Sequence, residues 1–132
     1  MYSMTQTKIV EFIDSIKNKD RLQLTSANCG IFAIWLKRVF GIGEFVAIVG
    51  DLEPEMVYHV MLKVGDKYYD SQGEWTKEEI IKTYQKINRL SIEMGEHVEI
   101  EKYDILKINE DDIEKLTEPN MEVDELIAKL EF

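Results

Sequence analysis

The sequence predicts an α+β fold in a single domain spanning residues 1–132. Two segments with helical periodicity come first, at residues 5–18 and 29–40. Short strands follow, two of them joined by the tight turn Gly65-Asp66. A capped helix and two short acidic helices lie further on, so helices flank the strands at both ends. Elements grouped in this way, rather than alternating strictly, mark the α+β class. A chain of 132 residues fits one domain. It buries roughly 65–70% of its unfolded surface, enough for a core without covalent staples.

Each element has a local cause. In residues 5–18 the apolar Ile9, Phe12, Ile13 and Ile16 share one helical face, with Thr5 or Thr7 as the candidate cap. Residues 19–27 read as a polar loop. Residues 29–40 are apolar nearly all the way round and close at Gly41 and Gly43, which predicts a buried central helix. The apolar run at 45–49 predicts a buried strand, and residues 51–55, with Pro54, a loop. Residues 57–64 and 67–71 form the two arms of a β-hairpin. Thr76-Lys77-Glu78-Glu79 is a capping box that opens a helix to about Asn88. Alternation of Val98, Ile100 and Lys102 with charged or aromatic neighbours predicts a strand over 97–103. Asn109 and Asn120 are the candidate caps of the two acidic helices.

Composition narrows the function classes. The net charge of −10, without a basic stripe, argues against a nucleic-acid partner. A single cysteine excludes an internal disulfide and a Cys-rich zinc site. Asp51, Glu53 and Glu55 lack the glycine and ligand spacing of a calcium loop, so no metal or cofactor is expected. No stretch is long and apolar enough for a membrane span, and the N-terminus lacks the pattern of a secretory leader. The expected location is the cytoplasm, with no membrane partner.

The single cysteine, Cys29, stands where the central helix begins. There the helix dipole and the unpaired N–H groups favour a thiolate, the nucleophilic form. The hairpin supplies a candidate base and acid. With Gly65-Asp66 as the turn, Val64 opposes Lys67, Leu62 opposes Tyr69 and Met61 opposes Asp70. Odd positions of the first arm therefore share a face with even positions of the second. His59 and Asp70 become diagonal neighbours about 7–8 Å apart in backbone, within side-chain reach. A carboxylate there fixes the imidazole tautomer and stabilises the imidazolium. Tyr58, Val60, Leu62, Val64 and Tyr69 fall on the other face and read as core. His97 reads as a surface residue, and Trp35 and Trp75 as core or helix-edge packing.

The run Asn28-Cys29-Gly30-Ile31-Phe32-Ala33 resembles the nucleophile motif of the papain-like and transglutaminase-like superfamily, and is similar to the Asp-Cys-Gly-hydrophobic-Phe motif of the ubiquitin-like-protein proteases. The segment from His59 through Tyr68-Tyr69-Asp70 to Gly73 resembles the transglutaminase-like strand that carries His, turns and returns to Tyr-x-Asp. The resemblance covers residues 23–73. It implies a papain-like or transglutaminase-like core, in which a central Cys-bearing helix packs on an antiparallel sheet that carries the His and the Asp. It further implies Cys29 as nucleophile, His59 as base and later acid, and Asp70 as orienter. Gln23, six positions before Cys29, takes the place of the oxyanion donor of papain-like enzymes. Two departures stand out. Cys precedes His here, whereas the ubiquitin-like-protein proteases place His first, and Val60 replaces the aromatic residue that follows the His of many transglutaminases.

The expected function is a cysteine hydrolase or acyltransferase that acts on an amide, isopeptide or thioester bond of a protein or peptide-like substrate, through an acyl-enzyme. Two other readings stay open. One is a non-catalytic acidic protein on the same scaffold that binds a partner protein through its acidic C-terminal helices. The other is a small-molecule pocket at the Cys-His cleft.

Overall fold

The structure, a computed structural model, describes residues 3–16, 29–52, 56–95, 100–116 and 123–128. Its elements in chain order are α1 (Met4–Asp14), α2 (Cys29–Phe40), β1 (Glu44–Gly50), β2 (Val57–Val64), β3 (Lys67–Asp70), β4 (Gly73–Trp75), α3 (Lys77–Glu93), β5 (Tyr103–Lys107), α4 (Glu110–Lys115) and α5 (Val123–Ala128). The five strands form one sheet in the order β4-β3-β2-β1-β5, and every neighbouring pair is antiparallel. The class is α+β, as the sequence predicts. Among the described residues no helix is long and apolar enough to cross a membrane.

The sheet is covered on both faces. On one, α1, α2, α4 and α5 bury Ile9, Ile13, Phe32, Ile34, Leu36, Ile113 and Val123 against Val60, Leu62, Val64 and Tyr69. On the other, Ile80 of α3 joins Val46, Ile48, Met61 and Tyr68, with Trp75, Tyr84, Tyr103 and Ile105 packed against them. Side chains alternate across each strand, so one strand feeds both cores. Burying this apolar area is the main favourable contribution to the fold.

The central helix runs over residues 29–40, as its sequence predicts, and stops where Gly41, at φ 68°, donates its N–H to Lys37 O at 2.7 Å. It lies close to α4. A Cβ added at Gly30 would sit 2.5 Å from Ile113 Cγ2, and Ile113 is fully buried and cannot retreat. The glycine after Cys29 is therefore what lets α4 approach the start of α2. The hairpin turn also follows the reading: Gly65 adopts φ 64°, and the register is Leu62↔Tyr69, Lys63↔Tyr68, Val64↔Lys67. The buried Gln6 of α1 pins this turn by donating from Nε2 to Val64 O at 2.8 Å.

Several expectations are corrected. The cap of α1 is Ser3, not Thr5 or Thr7: Ser3 Oγ accepts from Gln6 N while Gln6 Oε1 accepts from Ser3 N, a reciprocal box that starts the helix earlier. The helix ends at Asp14, and the Ser15 N–H turns back to Glu11 O and Phe12 O. The helix capped by Thr76 runs on to Glu93, past Asn88. Residues 100–102 are not strand. Asp51 takes the Lys102 N–H on its carboxylate and gives its own N–H to Lys102 O, and Asn88 Oδ1 accepts from Glu101 N, so the ladder begins only at Tyr103 opposite Gly50. Residues 97–99 lie outside the described residues, as does the candidate cap Asn120; Asn109 caps α4, its side chain accepting from Asp112 N at 2.8 Å.

Candidate active site

The hairpin brings His59 and Asp70 together as the face count predicts. His59 Nε2 lies 2.8 Å from Asp70 Oδ2, and the two residues are 3% and 5% exposed. The other carboxylate oxygen closes the turn into β4. Asp70 Oδ1 accepts from Gln72 N at 2.8 Å and from Trp75 Nε1 at 2.9 Å. One side chain thus performs the local turn bonding expected of an Asp at a strand end and also holds the imidazole. Three donors on two oxygens fix the plane of the carboxylate, and through it the plane of the ring.

Cys29 reaches this pair around an edge of the sheet. α2 packs on one face, whereas His59 and Met61 project from the other. Extending the hairpin register sets Met61 against Asp70, where β3 ends. One residue further along β2, the Val60 N–H points to where β3 has stopped and donates to Cys29 Sγ at 3.4 Å. The sulfur thus occupies a ladder position that the short β3 leaves open. It also lies close enough to the His59 side chain to interact with it electrostatically. Because Nε2 is engaged by Asp70, the ring nitrogen left for the sulfur is Nδ1. Cys29 is half-buried, whereas the imidazole and carboxylate are buried.

The electrostatics follow from this packing. Burial alone would hold His59 below its ordinary 6.5; the hydrogen bond to Asp70 and the electrostatic pull of Asp70 and Cys29 outweigh it and raise the pKa to about 9. The ring therefore carries its proton at neutral pH. Near it, the Tyr84 phenol is pushed up by burial first and then by the charges of Cys29 and Asp70, so it stays protonated.

The structure therefore unites Cys29, His59 and Asp70. Gln23, the expected oxyanion donor, lies outside the described residues, as does His97. Two neighbours went unassigned in the sequence. Trp75, expected as packing, is packed but also donates to Asp70; its signal was a Trp five residues after the acid, on the return strand of a second turn. Tyr84 sits two turns into α3 with its ring 6.3 Å from that of His59 at an angle of 31°. Nothing local marks it, because its position depends on how α3 crosses the sheet.

Tyr58 is a correction. It was expected in the core beside Val60. Instead β1 pairs Ile48 with His59 and Val49 with Val57, so Tyr58 is the extra residue of a β-bulge. Its ring turns to the α3 side, 5.7 Å from Tyr103 and 6.4 Å from Tyr84, and its hydroxyl donates to the buried Glu101 at 2.7 Å. The Asp51 carboxylate accepts from Lys102 N, and Glu53 and Glu55 lie outside the described residues.

Comparison with known proteins finds no matching family model, curated protein or solved structure.

Proposed function

We propose that this protein is a cysteine-dependent hydrolase or acyltransferase that acts on an amide, isopeptide or thioester bond of a protein or peptide-like substrate. The reading includes a papain-like or transglutaminase-like core, which the motif resemblance around Cys29 and His59 supports. The observation that carries it is the shared imidazole: Asp70 bonds Nε2 of a buried ring that also lies beside the sulfur of a half-buried cysteine. A structural cysteine needs neither partner, and a structural His–Asp pair needs no thiol.

The steps follow from these contacts. The Cys29 proton resides on His59, and the sulfur attacks the carbonyl carbon. A C–S bond forms as the C=O π electrons move to oxygen. The electrons return, the bond to the leaving group breaks, and His59 gives its proton to the departing amine. Water or an acceptor amine then attacks the thioester, with His59 taking the proton. Asp70 holds the ring in the right tautomer throughout. The Cys29 backbone N–H and the Gln23 amide are the proposed oxyanion donors. Removing such a donor typically costs about 10²–10³ in rate.

Alkylation by iodoacetamide tests the nucleophile. At neutral pH, Cys29 of the folded protein is expected to react faster than Cys29 in the same chain unfolded in urea. Mass spectrometry of the alkylated peptide reads both rates. A folded protein that resists reagent while the unfolded one is labelled would refute the proposal.

A further inference from the structure

Three tyrosines pack together beside the site, and their hydroxyls have different fates. The Tyr58 hydroxyl donates to Glu101 Oε1 at 2.7 Å. The Tyr103 hydroxyl lies near the Glu101 carboxylate. Glu101 takes a further bond from Leu52 N at 3.3 Å, so this buried carboxylate is satisfied by neutral donors. The Tyr84 hydroxyl has no protein partner among the described residues, although Tyr84 is half-buried. A desolvated phenol without an acceptor has a cost, and such a group in a native site calls for a reason.

Its location supplies one. Tyr84 lies on the face of α3 that meets the sheet, one turn beyond the buried Ile80. Its ring inclines over that of His59, with centroids 6.3 Å apart. The negative charges of Cys29 and Asp70 both act on the phenol. Burial first, and those charges after it, keep the hydroxyl protonated, so it is a donor and not a base. The neighbouring Tyr58 and Tyr103 rings, at 6.4 and 5.8 Å, pack against it.

We infer that Tyr84 is a further catalytic residue, whose phenolic O–H donates to the carbonyl oxygen of the acyl group as Cys29 adds to it. This rests on the acyl-enzyme reading above. No proton leaves the phenol. The Cys29–carbon bond forms, the electron pair shifts to the carbonyl oxygen, and the hydrogen bond from the Tyr84 O–H to that oxyanion shortens. When the leaving group departs, the pair returns and the hydrogen bond relaxes. A donor of this kind supplies more stabilisation to the tetrahedral state than to the planar carbonyl, which is what accelerates the step.

Two reagents separate this role from others. Acetylation of Cys29 by p-nitrophenyl acetate passes through an oxyanion, whereas alkylation by iodoacetamide is a direct displacement at carbon and forms none. Tyr84→Phe keeps the ring and removes an oxygen that no described protein group bonds, so folding is retained. It is expected to slow acetylation by about 10- to 100-fold and to leave alkylation within about twofold. Tyr103→Phe, whose hydroxyl lies toward Glu101, is expected to slow neither reaction. Equal rates for wild type and Tyr84→Phe in both reactions would overturn the inference. So would equal slowing of both, which would make Tyr84 a positioning residue for the Cys29–His59 pair. A wild-type protein that is alkylated but never acetylated at Cys29 would overturn the acyl-enzyme reading itself.

Discussion

Replacing Asp70 with alanine is expected to lower stability by about 3 kcal/mol, because it leaves a buried imidazole without its charged partner. It also removes the acceptor for Gln72 N and Trp75 Nε1, so the turn from β3 to β4 loosens. The His59 pKa is expected to fall from about 9 toward its ordinary 6.5, since burial persists while the strongest opposing contact is gone. Asp70→Asn separates the two roles. The amide oxygen still serves the turn, so the stability loss is smaller, but the charge is gone and the pKa still falls. Urea unfolding gives the stabilities, and imidazole proton shifts in NMR give the titrations. An Asp70→Ala protein as stable as wild type, with His59 still titrating near 9, would show that the carboxylate does not hold the ring.

The second large effect is on stability against pH. His59 is raised from 6.5 to about 9 in the folded protein, so the native state binds its proton more tightly than the unfolded chain does. The sign follows by linkage. The contribution is fully present below pH 6.5, declines as pH rises from 6.5 to about 9, and is absent above that. A shift of this size corresponds to on the order of 3 kcal/mol. The difference in unfolding free energy between wild type and His59→Ala, measured across this range, is expected to shrink accordingly. A difference that stays flat, or grows with pH, would mean that the ring is buried in its neutral form.

Much of this site was legible because the hairpin is regular. A two-residue turn with a glycine, followed by period-two alternation, fixes which residues share a face, and His59 and Asp70 obey that count. The Cys29 helix was legible for a similar reason: an apolar run bounded by Gly41 is unambiguous at 3.6 periodicity. What escaped depends on breaks in period or on distant packing. The bulge at Tyr58 reverses the side of one residue and leaves no mark in the sequence. The start of β5 is set by Asp51 and Asn88, which capture residues 101 and 102 before they join a ladder. The ring of Tyr84 meets His59 only because α3 crosses the sheet face, a tertiary fact without local trace. Trp75 had a plain local reading as an apolar residue, and its indole N–H was the overlooked part.

Convergence of the Cys29 sulfur, His59 and Asp70 into a group that forms a thioester is the central claim. Mass spectrometry of the intact protein after brief exposure to p-nitrophenyl acetate tests it most directly, with peptide mapping to locate the acetyl group. Wild type is expected to carry one acetyl group on Cys29, and His59→Ala to acquire it about 100-fold more slowly. Acetyl groups scattered over lysines with Cys29 unmodified, or equal rates with and without the imidazole, would contradict the account.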